Sequence, residues 1–119
     1  MKRIGIDVGS TTLKTVILDD DCNIVFTDYQ RHYSEIIEKS IETLSRLKSY
    51  ANDEEVLISI SGSAGMGIAE CSSIPFIQEV YATKLAAERY SKETDAIIEL
   101  GGEDAKILYL TEGLEVRMN

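Results

Sequence analysis

The stretch IDVGSTTLK, Ile6–Lys14, sets an acid, one apolar residue and a glycine at the end of a short apolar run, with a lysine seven positions after the acid. A second stretch, IELGGEDAK, Ile98–Lys106, repeats the order, with Glu99, Leu100, Gly101 and then Lys106 seven positions after Glu99. Each reads as a strand, a tight glycine turn and a returning strand. Successive backbone N–H groups in such a turn can line an anion-binding concavity, and Ser10, Thr11 and Thr12 add hydroxyl donors to the first copy. A carboxylate at the end of the incoming strand cannot favour phosphate directly. Asp7 or Glu99 would instead suit the Mg²⁺ that accompanies a nucleotide, reached through water. Lys14, on the outgoing strand, could offer positive charge to the phosphates. Two such hairpins facing each other would clamp a nucleotide's phosphates from both sides, and an internal repeat fits a fold of two similar halves.

Working outward, RIGIDV, STTLKTVILDD and NIVFTDYQ predict three consecutive strands folded as a meander, with turns at Gly9-Ser10 and Asp20-Asp21. Between 34 and 50 the period changes to helical, with Ile37, Ile41, Leu44 and Leu47 in step and Ser34 where an N-cap is expected. Glu54–Ile60 returns to strand and, being apolar at its centre, is expected to be buried on both faces. SGSAGMG, Ser61–Gly67, reads as a loop. A helix is predicted from Ile77 to Tyr90 with Ile77, Tyr81 and Leu85 on one face. TDAIIEL reads as another buried strand, AKILYLT as its hairpin partner, and GLEVRMN opens a third strand after a turn at Glu112-Gly113. The order βββ-α-β-α, followed by a second hairpin that starts like the first, indicates a mixed α/β sheet. The second meander stops in its third strand, so the 119 residues are expected to be the front part of a longer two-lobed protein, with 1–95 as the first lobe and 96–119 opening the second.

A net charge of −9 argues against a nucleic-acid or anionic-membrane surface, because both need a basic footprint. No apolar run approaches the ~18 residues of a membrane span, and no signal peptide precedes the first strand, so a cytoplasmic protein is expected. Cys22 and Cys71 share no metal-site spacing and read as reduced thiols. His32 has no neighbour in the sequence that would make it a general base and is expected at a strand end or on the surface. Neither SGSAGMG nor any other loop fits GxGxxG or GxxxxGK[ST], which weakens Rossmann and P-loop readings.

GIDVGSTTLK resembles the first phosphate motif of the acetate and sugar kinase, Hsp70 and actin superfamily, and IIELGGEDAK resembles the second phosphate motif of one branch of it. That branch comprises the activators of 2-hydroxyacyl-CoA dehydratases and the ATPase subunits of benzoyl-CoA reductases. The likeness extends between the motifs, through SGSAG, IPFIQEVYATKLAA and EVRMN, and covers practically the whole chain. It implies a ribonuclease H-like, actin-like ATPase lobe followed by the opening strands of a second similar lobe.

The resemblance also implies a function and roles. ATP with Mg²⁺ would drive electron transfer to a dehydratase or reductase component. The electron would come from ferredoxin or flavodoxin, through a [4Fe-4S] cluster shared by a homodimer. Asp7 and Glu99 would organise the metal. Gly9, Ser10, Thr11, Thr12 and Lys14 would form the first phosphate loop, and Gly101, Gly102, Asp104 and Lys106 the second. Glu79 is a polar candidate near the cleft. The cluster cysteines are expected from residues outside this chain, since neither Cys22 nor Cys71 matches them. The sequence departs from the branch at Glu99, which replaces Asp, and at Glu103, which replaces Gln and sets an anion where phosphates are expected. A small-molecule kinase of the same superfamily, or a degenerate lobe that no longer binds nucleotide, are the other readings of these residues.

Overall fold

The computed structural model describes residues 1–52, 54–91, 93–101, 105–111 and 114–118, and for 106, 110, 111 and 114–118 it describes the backbone alone. The elements in chain order are β1 (Lys2–Val8), β2 (Thr12–Leu18), β3 (Ile24–Arg31), α1 (Ile36–Ala51), β4 (Val56–Ser61), α2 (Met66–Ser72), α3 (Glu79–Tyr90), β5 (Ala96–Leu100), β6 (Ala105–Thr111) and β7 (Leu114–Met118). They group into two units, Met1–Ile77 and Gln78–Asn119.

In the first unit the meander forms as expected, and the sheet order is β3-β2-β1-β4. β1 runs antiparallel to β2 and parallel to β4. A parallel neighbour needs a crossover, which α1 supplies between β3 and β4. Alternation along β1 buries Ile4, Ile6 and Val8, which lie opposite Ile17, Thr15 and Leu13 of β2. Ile4, Ile6, Val8, Leu13 and Ile17, with Leu47, Ile60 and Ala69, make the core. The turn after β2 is closed by the Asp19 carboxylate, which accepts from the backbone N–H groups of Asp21 and Asn23 at 2.9 Å each. The segment after α2 adds a short extension beside β4: Ile60 N–H donates to the Pro75 carbonyl at 2.9 Å and Ile77 N–H to the Ile60 carbonyl at 2.8 Å. In the second unit β5, β6 and β7 form an antiparallel sheet in that order, preceded in sequence by α3.

Several local expectations are corrected. The side of α1 that is buried carries Ser40, Thr43 and Leu47, while Ile37 and Ile41 are exposed. The reason is polar. Gln30 on β3 donates to the Thr43 hydroxyl at 2.9 Å, and Arg46 pairs with Asp28 at 2.6 Å, so the contact with β3 is made by Thr43 and Arg46. Ser34 is not the helix cap. The cap position falls on Glu35, and Ser34 has a left-handed backbone that turns its N–H toward His32. Ser61 closes β4, and Met66 and Gly67 open α2, a helix whose seven residues are too few to show a period. β4 is not buried on both faces, since Leu57 is 55% exposed, and β5 exposes Ile98 and Leu100. α3 starts at Glu79, after Ile77, and has no buried residue, so Tyr81 and Leu85 do not form a packed face. Apolarity alone cannot tell a covered face from an open one.

Ile17, at the centre of the sheet, is fully buried. Ile17→Ala is expected to cost about 2–5 kcal/mol. Leu57→Ala, on the open side, is expected to change stability by no more than about 0.5 kcal/mol. Urea denaturation of the two variants measures both.

Candidate functional site

The C-terminal end of β1 is set by two registers. Asp7 lies opposite Lys14 of β2 on one side and Ser61 of β4 on the other. Cross-strand partners share a face, so the Lys14 ammonium reaches the Asp7 Oδ2 at 3.1 Å. Both side chains are about two-fifths exposed, 43% for Lys14 and 37% for Asp7, and a pair so wet contributes about 0–1 kcal/mol. Its value is positional. The other oxygen, Asp7 Oδ1, is buried and has no hydrogen-bond partner among the described residues.

The chain that covers it is Ser61–Gly65. Gly62 has φ +102°, and a Cβ there would stand 2.3 Å from the Val8 carbonyl oxygen and 2.5 Å from Asp7 Oδ1. Only glycine fits so close an approach. A Cβ on Gly65 would be 2.6 Å from the Ser61 carbonyl oxygen. With both glycines in place, Ala64 N–H donates to the Val8 carbonyl at 2.9 Å and Gly65 N–H to the Gly62 carbonyl at 3.1 Å.

The turn between β1 and β2 follows directly. Gly9 N–H donates to the Thr12 carbonyl at 2.9 Å, which closes it. Ser10 is exposed, Thr11 is half-buried and Thr12 is buried. The amides of Ser10 and Thr11 donate to no group among the described residues. His32 backs the turn. Its N–H donates to the Thr11 carbonyl at 3.1 Å and its Nε2 lies 2.8 Å from the Gly9 carbonyl oxygen. The carbonyls of Val8, Gly9, Thr11 and Thr12 therefore all accept from protein donors, while N–H groups are left over. Such a turn offers donors to an anion.

His32 is the residue that sequence reasoning missed. It does follow a strand, β3, but it is only 2% exposed, so the surface expectation is wrong. The signal was the meander itself. Thr12 pairs with Arg31, which leaves the next residue beside the turn.

The second hairpin repeats the register. Glu99 lies opposite Lys106, and Leu100 opposite Ala105, as Asp7 lies opposite Lys14 and Val8 opposite Leu13. Four residues separate the last pair in each case, 9–12 and 101–104. Glu99 is half-buried and Gly101 exposed. Gly102, Glu103 and Asp104 lie outside the described residues, as does the Lys106 side chain. Glu79 is the first residue of α3 and half-buried, in the second unit, whereas Asp7 belongs to the first.

The residues at the first turn fit a magnesium nucleotide. Mg²⁺ keeps several waters and takes one or two carboxylates beside phosphate, and Asp7 offers a carboxylate that is partly exposed on the Oδ2 side shared with Lys14, while Oδ1 is covered by the 61–65 loop. The cysteines gather no such set. Cys22 lies in the β2–β3 turn and Cys71 on α2, and no group of three His, Cys, Asp or Glu that could hold a metal occurs among the described residues. No described helix is long and apolar enough to cross a membrane.

No protein-family model matches the sequence. The chain is 26% identical over 115 residues to the uncharacterized protein MJ0004 of Methanocaldococcus jannaschii, covering 95% of this chain and 45% of that protein. Among solved structures, it matches the activator of the 2-hydroxyisocaproyl-CoA dehydratase from Clostridium difficile with bound ADPNP, with a TM-score of 0.77 and 25% identity over all of this chain and 46% of that one. It also matches component A of the (R)-2-hydroxyglutaryl-CoA dehydratase of Acidaminococcus fermentans, with a TM-score of 0.77 and 22% identity over 95% of this chain and 44% of that one. The fold is that of the dehydratase activators. It is the ribonuclease H-like, actin-like ATPase fold expected from the two motifs, and this chain spans less than half the length of each of these relatives.

Gly62→Ala is expected to destabilise the protein by about 1–3 kcal/mol, because its φ disfavours a side chain and its Cβ meets Val8. Gly67→Ala, within α2 and with open space around it, is expected to stay within about 1 kcal/mol of the parent. Chemical denaturation of the pair separates the strained glycine from the tolerant one.

Proposed function

We propose that this chain is the nucleotide-phosphate-binding part of an ATP-dependent activator that drives electron transfer to a 2-hydroxyacyl-CoA dehydratase or aryl-CoA reductase. The observation that carries this is the turn at residues 9–12, where the carbonyls of Gly9, Thr11 and Thr12 accept from protein donors and the amides of Ser10 and Thr11 donate to no group among the described residues, just after the partly exposed Asp7 carboxylate. Support comes from the likeness to an activator solved with ADPNP.

In this reading the amides of Ser10 and Thr11, with the hydroxyls of Ser10, Thr11 and Thr12, bind phosphate oxygens. Asp7 holds Mg²⁺ through water. When bound, the metal supplies positive charge that neutralises the phosphates. Lys14 orients Asp7 and adds a second positive charge. The second hairpin contributes through Gly101, Gly102, Asp104 and Lys106, with Glu99 toward the metal and Glu79 as a further polar group. Residues 1–95 are the first lobe and 96–119 open the second. The [4Fe-4S] cluster, the homodimer that shares it and the ferredoxin or flavodoxin donor belong to the whole cytoplasmic activator, and the cluster ligands are neither Cys22 nor Cys71.

Isothermal titration with Mg-ADPNP tests the nucleotide role in the intact protein. The parent is expected to bind saturably. Asp7→Asn, which keeps the shape and removes the charge, is expected to weaken binding by on the order of tenfold or more. An intact protein that shows no saturable binding would overturn the reading.

A further inference from the structure

One buried ring holds the turn that carries Ser10 and Thr11. Nδ1 of His32 accepts the N–H of Ser34 at 3.0 Å. A backbone amide only donates, so Nδ1 carries the lone pair and the ring proton sits on Nε2. His32 Nε2–H therefore donates to the Gly9 carbonyl oxygen, 2.8 Å away.

That bond decides more than the position of one oxygen. The peptide between Gly9 and Ser10 is planar and trans, since the chain contains no cis peptide, so its C=O and N–H point in opposite directions. Fixing the Gly9 carbonyl on the ring aims the Ser10 N–H away from it. Gly9 is the residue at which this peptide could rotate most freely, and the inverted peptide would present a carbonyl where a phosphate is expected. The backbone N–H of His32, bonded to the Thr11 carbonyl, holds the Thr11–Thr12 peptide at the far end of the turn. The chain accepts strain to build this arrangement. Tyr33 and Ser34 are consecutive non-glycine residues with φ of +51° and +62°. Their bend delivers the Ser34 N–H to Nδ1 and the Glu35 N–H to the His32 carbonyl at 2.7 Å.

We propose that His32, as its Nε2–H tautomer, is the positioning residue that locks the Gly9–Ser10 peptide in its anion-binding orientation. The proposal rests on the reading of residues 9–12 as a phosphate turn. Two isosteric variants dissect the ring. In His32→Gln the side-chain amide keeps a donor near Nε2 for the Gly9 carbonyl. In His32→Asn the side-chain oxygen keeps the acceptor near Nδ1 for Ser34, and the donor to Gly9 is lost. His32→Asn is expected to weaken Mg-ADPNP binding by on the order of tenfold, and His32→Gln by no more than about threefold. The Ser10 amide resonance in ¹H–¹⁵N spectra is expected to shift in His32→Asn and to stay near its parent position in His32→Gln. Parent-like affinity in His32→Asn, or equal loss of affinity in both variants with equal loss of melting temperature, would overturn the proposal and leave a packing role. A parent protein that does not bind Mg-ADPNP would overturn the phosphate reading instead. The Ser10 resonance would still decide whether His32 sets the peptide, and an identical spectrum in both variants would rule it out.

Discussion

β1 is hydrogen-bonded on both sides, antiparallel to β2 and parallel to β4, and the site depends on the two registers it keeps. Side chains alternate along a strand, so a slip of one residue would exchange its faces. Ile4, Ile6 and Val8 would then move to the open side and Asp7 would enter the core. Burial of the three apolar chains forbids that slip. The same burial therefore keeps the Asp7 carboxylate between Lys14 and Ser61. No contact at the site has to hold the carboxylate in place by its own strength, which is why an ion pair of small energy can still have a well-defined geometry.

The direction of the backbone at the turn follows from a similar economy. Four carbonyls, those of Val8, Gly9, Thr11 and Thr12, receive donors from Ala64, His32 and Gly9. The donors come from three places in the sequence: the loop after β4, the end of β3 and the turn itself. Each is in reach only because the meander and the crossover bring β3 and β4 to either side of the β1–β2 pair. Local glycine content makes the turn possible, but the orientation of its amides is a tertiary property.

That distinction sets what could be read from the sequence. The strands of the meander, the position of Asp7 and Lys14 and the repeat at Glu99 and Lys106 were legible because strand period and turn residues are local signals. His32 was not, because its role appears only once Arg31 is paired with Thr12. The α1 contact was legible in part, since Leu47 is buried and Leu44 packs against the core, and its other half was misread for a related reason. Ile37 and Ile41 keep a helical spacing, yet the sheet face that meets the helix presents Gln30 and Asp28, which favour Thr43 and Arg46. The glycines of the 61–65 loop look ordinary in sequence, and their necessity lies in the closeness of Val8 and Asp7.

The equal spacing of acid and lysine in the two hairpins is itself a statement about register. In an antiparallel pair the two residue numbers sum to a constant along the ladder. An acid one position before the last pair and a lysine one position after it are therefore seven apart whenever the turn holds four residues. The shared spacing thus follows from a shared strand register and loop length, without fixing a shared chemistry. Where the first turn has Thr11 and Thr12, the second has Glu103 and Asp104. Hydroxyls and bare amides favour an anion, whereas two carboxylates repel one unless a cation stands close by. The repeat is one strand register carrying two charge patterns, hydroxyls after the first strand and acids after the second.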